Sequence, residues 1–168
     1  ALLRAAVMLQ ENGQPEVKFR RQVPETPVLM ELDATMIGQA LTNLIKNAGE
    51  AIESLQERGA PEGHVPEIRV IMQADATEAV IQIMDNGIGL PPDRARLFEP
   101  YVTTREKGTG LGLPIVKKII EEHGGTLTLE DAPVFEGGTQ TGAMAVIHLP
   151  RTLRKRSARN LAAKVQGG

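Results

Sequence analysis

Asp85-Asn86-Gly87-Ile88-Gly89-Leu90 and, further along, Gly108-Thr109-Gly110-Leu111-Gly112-Leu113 are the two stretches that decide how this chain folds. In both, glycines stand at alternate positions, where a backbone without Cβ atoms can approach a ligand closely and adopt positive φ. The first stretch follows the strand-like residues 79–84, and the second leads into the helix-like residues 115–123. Free backbone amides at a helix N-terminus bind anions, so the second stretch predicts a phosphate-binding turn.

Length and composition indicate a single domain with an aliphatic core. The 168 residues are enough to bury a sizeable core, and 41% hydrophobic with 24% charged residues is typical of soluble globular domains. A net charge of −2 and only 2% aromatic residues argue against nucleic-acid binding. The absence of cysteine excludes disulfides, thiolate zinc sites and a cysteine nucleophile, and is compatible with a reducing compartment. No apolar run approaches the length of a membrane span.

Apolar periodicity predicts the elements before the first glycine stretch. Residues 17–23 alternate and predict a strand, and residues 28–32 predict a short second one. Asp33 is the expected N-cap of a helix. Its apolar face is built by residues three and four apart: Ile37, Leu41, Leu44, Ala48, Ile52 and Leu55. Residues 67–74 and 78–84 predict a hairpin.

Proline and glycine mark the later elements. Pro114 fits the first turn of a helix, where its missing N–H costs nothing, and Gly124-Gly125 ends that helix. Residues 126–130 and 143–149 predict the last two strands.

Two asparagines on the long predicted helix are the first candidates for chemistry. Asn43 and Asn47 are four residues apart, so both project from one side of the helix. An amide oxygen is a suitable ligand for Mg²⁺, which completes its shell with water and phosphate oxygens. A pair of solvent-exposed asparagines is the competing interpretation. Asparagine is a mediocre helix former, however, so two on one face of a helix indicate a role beyond helix formation.

Five segments in order resemble the N, G1, F, G2 and G3 boxes of the catalytic ATP-binding domain of two-component sensor histidine kinases: residues 43–51, Asp85-x-Gly87-x-Gly89, residues 98–101, 108–113 and 137–139. The wider group includes gyrase B, HSP90 and MutL. The Asn-Ala-Gly-Glu-Ala and Phe-Glu-Pro-Tyr sequences are most similar to nitrogen-regulation sensors of the NtrB and NtrY kind. The resemblance implies an α/β two-layer sandwich (the Bergerat-type ATP-binding fold), with a mixed, largely antiparallel sheet and helices on one face.

The resemblance implies a role in binding the metal or the adenine base for each of the following residues. Asn47 corresponds to the Mg²⁺ ligand, with Asn43 beside it, and Asp85 to the acceptor for the exocyclic amine of adenine. An ionised carboxylate accepts but does not donate, so it favours adenine over the carbonyl of guanine. Gly87 and Gly89 correspond to the glycines that let the chain pass beneath the base. A turn aspartate in an Asp-Asn-Gly hairpin is the competing interpretation of Asp85.

The phosphate side is implied in the same way. Gly108, Gly110 and Gly112 correspond to the hinge of a lid over about residues 91–107, and Thr139 resembles the threonine that supports the adenine site. The remaining nucleotide-binding positions are Thr103, Thr104, Lys107, Thr109, Leu111 and Leu113.

Two positions depart from the family pattern. Glu50 stands where many of these kinases carry a lysine, and the arginine often found after the phenylalanine of the F box is missing. Lys46 lies one position from Asn47 and points elsewhere, so Arg105 and Lys107 are the expected phosphate-neutralising cations. The candidate catalytic residues are Asn43, Lys46, Asn47, Arg105 and Lys107.

The histidine that these kinases phosphorylate is followed by an acidic residue in a helical dimerisation hairpin, and His64, His123 and His148 all lack that context. We therefore expect residues 17–150 to bind ATP with Mg²⁺ and donate the γ-phosphate to a histidine on a separate dimerisation domain. Residues 1–16 would end a preceding linker or helix of a longer protein, and residues 151–168 would form a basic, disordered tail. A downstream response regulator, a homodimeric parent and a cytoplasmic location are also implied, while a membrane anchor in the parent stays open.

Two other functions remain in view. ATP hydrolases of the gyrase or HSP90 kind carry a glutamate four residues before the metal-binding asparagine, where this chain has Asn43, and an amide is not a general base. A nucleotide-sensing or anti-sigma-type module would bind ATP without transferring its phosphate.

Overall fold

The structure is a computed structural model that describes residues 17–24, 32–92 and 112–151. Parts of the sequence prediction lie outside these residues: the expected strand at 28–32 except Leu32, the segment 98–101, nearly all of the 91–107 lid and most of both terminal segments. The same holds for these predicted site residues: Thr103, Thr104, Arg105, Lys107, Gly108, Thr109, Gly110 and Leu111.

Strands and helices follow each other in the order that the apolar pattern predicts. The described elements are β1 (Lys18–Gln22), α1 (Ala34–Arg58), β2 (Glu67–Ala74), β3 (Glu78–Asp85), α2 (Gly112–Glu122), β4 (Thr126–Asp131) and β5 (Ala143–Pro150). The strands form one sheet in the order β1-β2-β3-β5-β4. β1 runs parallel to β2 and the other neighbours are antiparallel, which confirms the mixed, largely antiparallel sheet.

Helix α1 begins at the predicted N-cap, Asp33, and ends at the C-cap, Gly59. The side chain of Asp33 accepts a hydrogen bond from the backbone N–H of Met36 at 3.0 Å, and Gly59 at the other end has a φ of 95°. The predicted apolar face is confirmed, since these residues are all buried: Ile37, Leu41, Leu44, Ala48, Ile52 and Leu55. Neither helix in the described ranges combines the length and the apolar content that a membrane crossing needs.

One buried cluster joins both helices to a single face of the sheet. It includes Ile45, Ile120, Val70, Ile83 and Ile147. Because side chains alternate between the two faces of a strand, Asp85, two residues after Ile83, lies on the same helix-facing side. The opposite face carries a smaller buried cluster of Met84, Ala132 and Phe135. The two-layer sandwich is thereby confirmed.

The turn between β2 and β3 is built around Asp75. Its Oδ1 accepts hydrogen bonds from the backbone N–H groups of Thr77 at 2.7 Å and Glu78 at 2.8 Å, and from the Thr77 hydroxyl at 2.8 Å. The bond from the Glu78 amide, followed by those from Thr77, holds the pKa of the Asp75 carboxyl below its usual value. This local network explains why the predicted hairpin forms with such a short connection.

A histidine joins the end of α2 to the start of α1. His123 Nδ1 lies 2.8 Å from the carbonyl oxygen of Ile119, and its Nε2 accepts a hydrogen bond from the backbone N–H of Asp33 at 3.0 Å. A carbonyl only accepts and an amide only donates, so the ring carries its proton on Nδ1. Gly124, with a φ of 78°, then ends the helix as predicted.

Candidate functional site

Asp85 stands at the end of β3 with its side chain in the protein interior. The residue is 4% exposed. Its Oδ1 accepts a hydrogen bond from the backbone N–H of Gly87 at 2.8 Å and lies 3.4 Å from that of Ala143. Backbone amides from two segments therefore orient this carboxylate before any ligand arrives.

Gly87 lies directly against the backbone of α1. A Cβ atom added there would stand 2.4 Å from the carbonyl carbon of Ala51 and 2.5 Å from the nitrogen of Ile52. The next amide, that of Ile88, donates to the carbonyl oxygen of Ala51 at 3.0 Å. Only glycine fits this close approach, so the turn after β3 is attached to the helix that carries the two asparagines.

Gly89 needs glycine for a different reason. Its φ of 84° lies in the left-handed region, and an added Cβ would be 3.1 Å from the carbonyl oxygen of Thr141. In the structure, Gly87 is therefore required by close packing on α1, and Gly89 is required by its left-handed backbone conformation.

Asn43 and Asn47 lie eight and four residues before Ala51, the α1 residue that the turn contacts. Asn47 is one helical turn before Ala51, about 6 Å along the axis, and residues four apart share a face. Both asparagines are partly exposed, whereas Leu44 and Ala48 between and beside them are buried. The structure places Gly87 against Ala51, on the same helix as Asn43 and Asn47, and the joint site of Asn43, Asn47, Asp85, Gly87 and Gly89 stays a prediction. Lys46 is exposed.

The segment before β5 closes the other side of the turn. Gly142 packs on Asp85, where an added Cβ would be 1.9 Å from the Asp85 carbonyl oxygen. Gln140 donates from Nε2 to the carbonyl oxygen of Gly87 at 3.0 Å. Thr139 is exposed, and its assignment to the adenine site stays a prediction. Gln140 and Gly142, which meet the turn, follow Thr139 in sequence.

Asn86 is a buried residue, 8% exposed, that sequence reasoning missed. Its Oδ1 accepts from the backbone N–H of Glu67 at 2.9 Å, and its Nδ2 donates to the carbonyl oxygen of Val65 at 2.8 Å. The side chain thereby ties the turn to the start of β2. An asparagine between Asp and Gly is a turn signal in any sequence, so nothing local distinguished this role.

Gly112 and Leu113 are the described residues of the second glycine stretch. Gly112 is the first residue of α2, which confirms that this stretch leads into a helix. The described start of α2 therefore coincides with the end of the stretch that the sequence predicted to bind phosphate.

Residues 32–153 match the family described as "Histidine kinase-, DNA gyrase B-, and HSP90-like ATPase". The match covers most of the chain, and the chain belongs to this family as an ATP-binding domain of the histidine-kinase type. The curated relative "Nitrogen regulation protein NtrY" of Azorhizobium caulinodans is 50% identical over 137 residues. That alignment covers 81% of this chain and 17% of NtrY, so the chain spans a small part of this relative's length.

Solved structures agree with the family. The structure is similar to the mycobacterial sensor histidine kinase MprB, with a TM-score of 0.73 and 28% identity over 89% of this chain and 91% of that one. It is also similar to full-length ShkA in complex with AMPPNP, with a TM-score of 0.68 and 25% identity, covering 89% of this chain and 29% of that one. AMPPNP is an ATP analogue, so a nucleotide occupies at least one protein with this fold.

Proposed function

We propose that this chain binds Mg²⁺-ATP between α1 and the turn after β3, and that it presents the γ-phosphate to a histidine on a separate domain of a sensor kinase. The observation that carries the proposal is that the turn after the buried Asp85 is bonded, through the amide of Ile88, to Ala51, which lies one helical turn beyond Asn47. An acceptor for the base and an amide ligand for the metal, joined through this contact, would serve the two ends of one nucleotide.

Asp85 recognises the base in this proposal. Its Oδ1 already accepts from backbone amides, and a carboxylate with two oxygens has further acceptor capacity for the exocyclic amine of adenine. Gly87 packs directly against the backbone of α1. This close packing would leave space for the base over the turn. The carbonyl of guanine would meet a second acceptor here, and selectivity for adenine follows.

The Asn47 amide suits a magnesium ion that would arrive with the nucleotide. Within residues 17–24, 32–92 and 112–151, no cluster of three or more histidine or acidic residues forms a metal site of its own. An amide oxygen is a hard ligand, and phosphate oxygens and water would complete the shell. Such an ion neutralises charge on the phosphates during transfer. Asn47 would hold it, with Asn43 lining the same face.

The phosphate end of the proposal rests on the sequence. Arg105 and Lys107 remain the proposed cations, with Lys46 as a weaker candidate because it is exposed on α1. Residues 108–111 would meet the phosphates, and the described start of α2 at Gly112 adds the positive end of a helix dipole.

The phosphate acceptor is proposed to lie on another domain. His123 is held between two helices, and His148 on the sheet has Nδ1 3.5 Å from the carboxylate of Glu78. His64 lies in the loop before β2, with Nε2 buried. No histidine of the chain is followed by an acidic residue in a helix. The partners would be a dimerisation domain that carries the acceptor and, downstream, a response regulator.

Replacing Asp85 tests the site directly. Asp85→Asn keeps the size of the side chain and removes its charge, so we expect affinity for ADP and ATP to fall about tenfold to hundredfold, as for the loss of a charged acceptor. Calorimetric titration measures this, with Asp131→Asn on the exposed end of β4 as the matched control. Wild-type affinity in Asp85→Asn would remove the adenine assignment.

Hydrolysis separates this proposal from its rivals. A gyrase-like hydrolase would release phosphate from ATP without any acceptor, whereas we expect turnover only when a domain with an acceptor histidine is supplied. Binding without transfer to that domain would identify a nucleotide-sensing module instead.

A further inference from the structure

Gln140 reaches from the connection between β4 and β5 to the turn that follows β3. Its Nε2 lies 3.0 Å from the carbonyl oxygen of Gly87 and 3.4 Å from that of Thr141. The side chain is partly exposed, and it bonds a residue 53 positions earlier in the chain. It thus links the last segment before β5 to the glycine that rests on α1.

Near this turn, hydrogen bonds to side chains replace the backbone pairing between β3 and β5. The pairing of β3 with β5 runs from Glu78 opposite Pro150 to Met84 opposite Met144. Beyond Met84, the amide of Ala143 points to the Asp85 carboxylate instead. The carbonyl oxygen of Gly87, two residues further, accepts from Gln140. Beyond the end of this strand pairing, side-chain hydrogen bonds therefore position the turn together with the backbone bond from Ile88 to Ala51.

The orientation of the Gln140 amide is determined by its partners. Both contacts are to carbonyl oxygens, which only accept, so the NH₂ group and not the oxygen must face them. A carboxylate of the same shape would place an acceptor against two acceptors. Gln140→Glu is therefore a close isostere that reverses the interaction.

The connection that carries Gln140 is itself anchored at its other end. Phe135 is buried with Met84 on the outer face of the sheet, and the guanidinium carbon of Arg69 lies 3.9 Å from the centre of its ring. Arg69 also pairs with Glu67, which is 7% exposed.

A backbone hydrogen bond joins the two ends of this connection, since the amide of Ala132 donates to the carbonyl oxygen of Gly142 at 3.0 Å. Gln140 therefore projects from a supported segment.

We propose that Gln140 is a positioning residue for base recognition, which acts by holding the Asp85–Gly87 turn in its binding position. The proposal rests on the proposed function of Asp85. Gln140 acts through the turn and not through the phosphates, so its loss weakens the binding of adenosine, ADP and ATP by a similar factor. A phosphate-contacting residue would instead weaken ATP more than adenosine.

The test compares Gln140→Ala and Gln140→Glu with Gln73→Glu, a matched change at an exposed position on β2. We expect affinities for adenosine, ADP and Mg²⁺-ATP to fall about threefold to tenfold in Gln140→Ala, as for one neutral hydrogen bond. The fall in Gln140→Glu is larger and shrinks as the pH approaches the usual glutamate pKa, about 4.3, because a protonated carboxyl can donate again. Gln73→Glu leaves all three affinities unchanged.

Unchanged affinities in both Gln140 variants overturn the proposal, as does a loss confined to ATP. Amide exchange at Ile88 in the nucleotide-free chain gives an independent measurement, since this amide bonds α1 only while the turn is docked. Faster exchange in Gln140→Ala supports the proposal, and equal exchange overturns it. The wild-type chain could bind neither adenosine, ADP nor ATP while the exchange of the Ile88 amide still depends on Gln140. That result would refute the proposed function and leave the positioning role of Gln140 supported.

Discussion

At the scale of single residues, hydrogen bonds and one close backbone contact fix the position of the turn after β3. Asp85 is oriented by amides from two segments, and Asn86 satisfies a donor and an acceptor at the start of β2. Gly87 has the α1 backbone where any other residue would place a Cβ. Buried polar groups are costly without partners, so this network gives the turn one arrangement.

Gly87→Ala should therefore damage the site more than an ordinary glycine substitution. The new methyl group would overlap the backbone of Ala51, which cannot move without distorting α1. We expect a loss of about 1–3 kcal/mol in the free energy of unfolding, as for overpacking, together with weaker nucleotide binding. The control is Gly138→Ala, whose Cβ would be 3.3 Å from the carbonyl oxygen of Phe135. Equal unfolding midpoints in denaturant for the two variants would contradict this account of Gly87.

The two helices are joined at their ends as well as through the core. His123 completes the C-terminus of α2 and accepts from the amide of Asp33, the residue that caps α1. This contact connects the helix that begins at the second glycine stretch to the helix that carries Asn43 and Asn47. A residue at the end of α2 therefore helps to hold the start of α1.

His123→Ala should lower the free energy of unfolding by about 1–3 kcal/mol, because the Asp33 amide loses its acceptor and the Ile119 carbonyl loses one of its two donors. Thermal and denaturant unfolding measure the change. His148→Ala is the control, since its half-exposed ring pairs with Glu78 on the sheet surface and surface ion pairs contribute little. Nitrogen shifts in NMR should also report a neutral His123 protonated on Nδ1, and the opposite tautomer would exclude the two hydrogen bonds.

At the scale of the whole molecule, the sequence predicted what local patterns control. The α1 face, the Asp33 cap and the hairpin around Asp75 each depend on neighbours a few residues away, and all are confirmed. The bonds of Asn86 and Gln140 join residues 19 to 53 positions apart, so they follow from the finished sheet. The parallel pairing of β1 with β2 was equally invisible, since alternation shows a buried face and not a partner.

In the proposed function Asn47 links nucleotide binding to phosphotransfer, and its replacement should separate the two. In Asn47→Ala the base still meets Asp85, so we expect affinity for ADP without Mg²⁺ to stay within about twofold of wild type. Phosphotransfer to a supplied domain with an acceptor histidine should fall at least about tenfold, equivalent to about 1.4 kcal/mol in the barrier, because the metal loses its protein ligand. Gln39→Ala, at an exposed position on the same helix, controls for damage to α1. Titration of ADP with and without Mg²⁺, combined with single-turnover transfer from labelled ATP, measures both quantities. Normal transfer by Asn47→Ala would show that the metal is held elsewhere, and an equal loss of metal-free ADP binding would place Asn47 at the base.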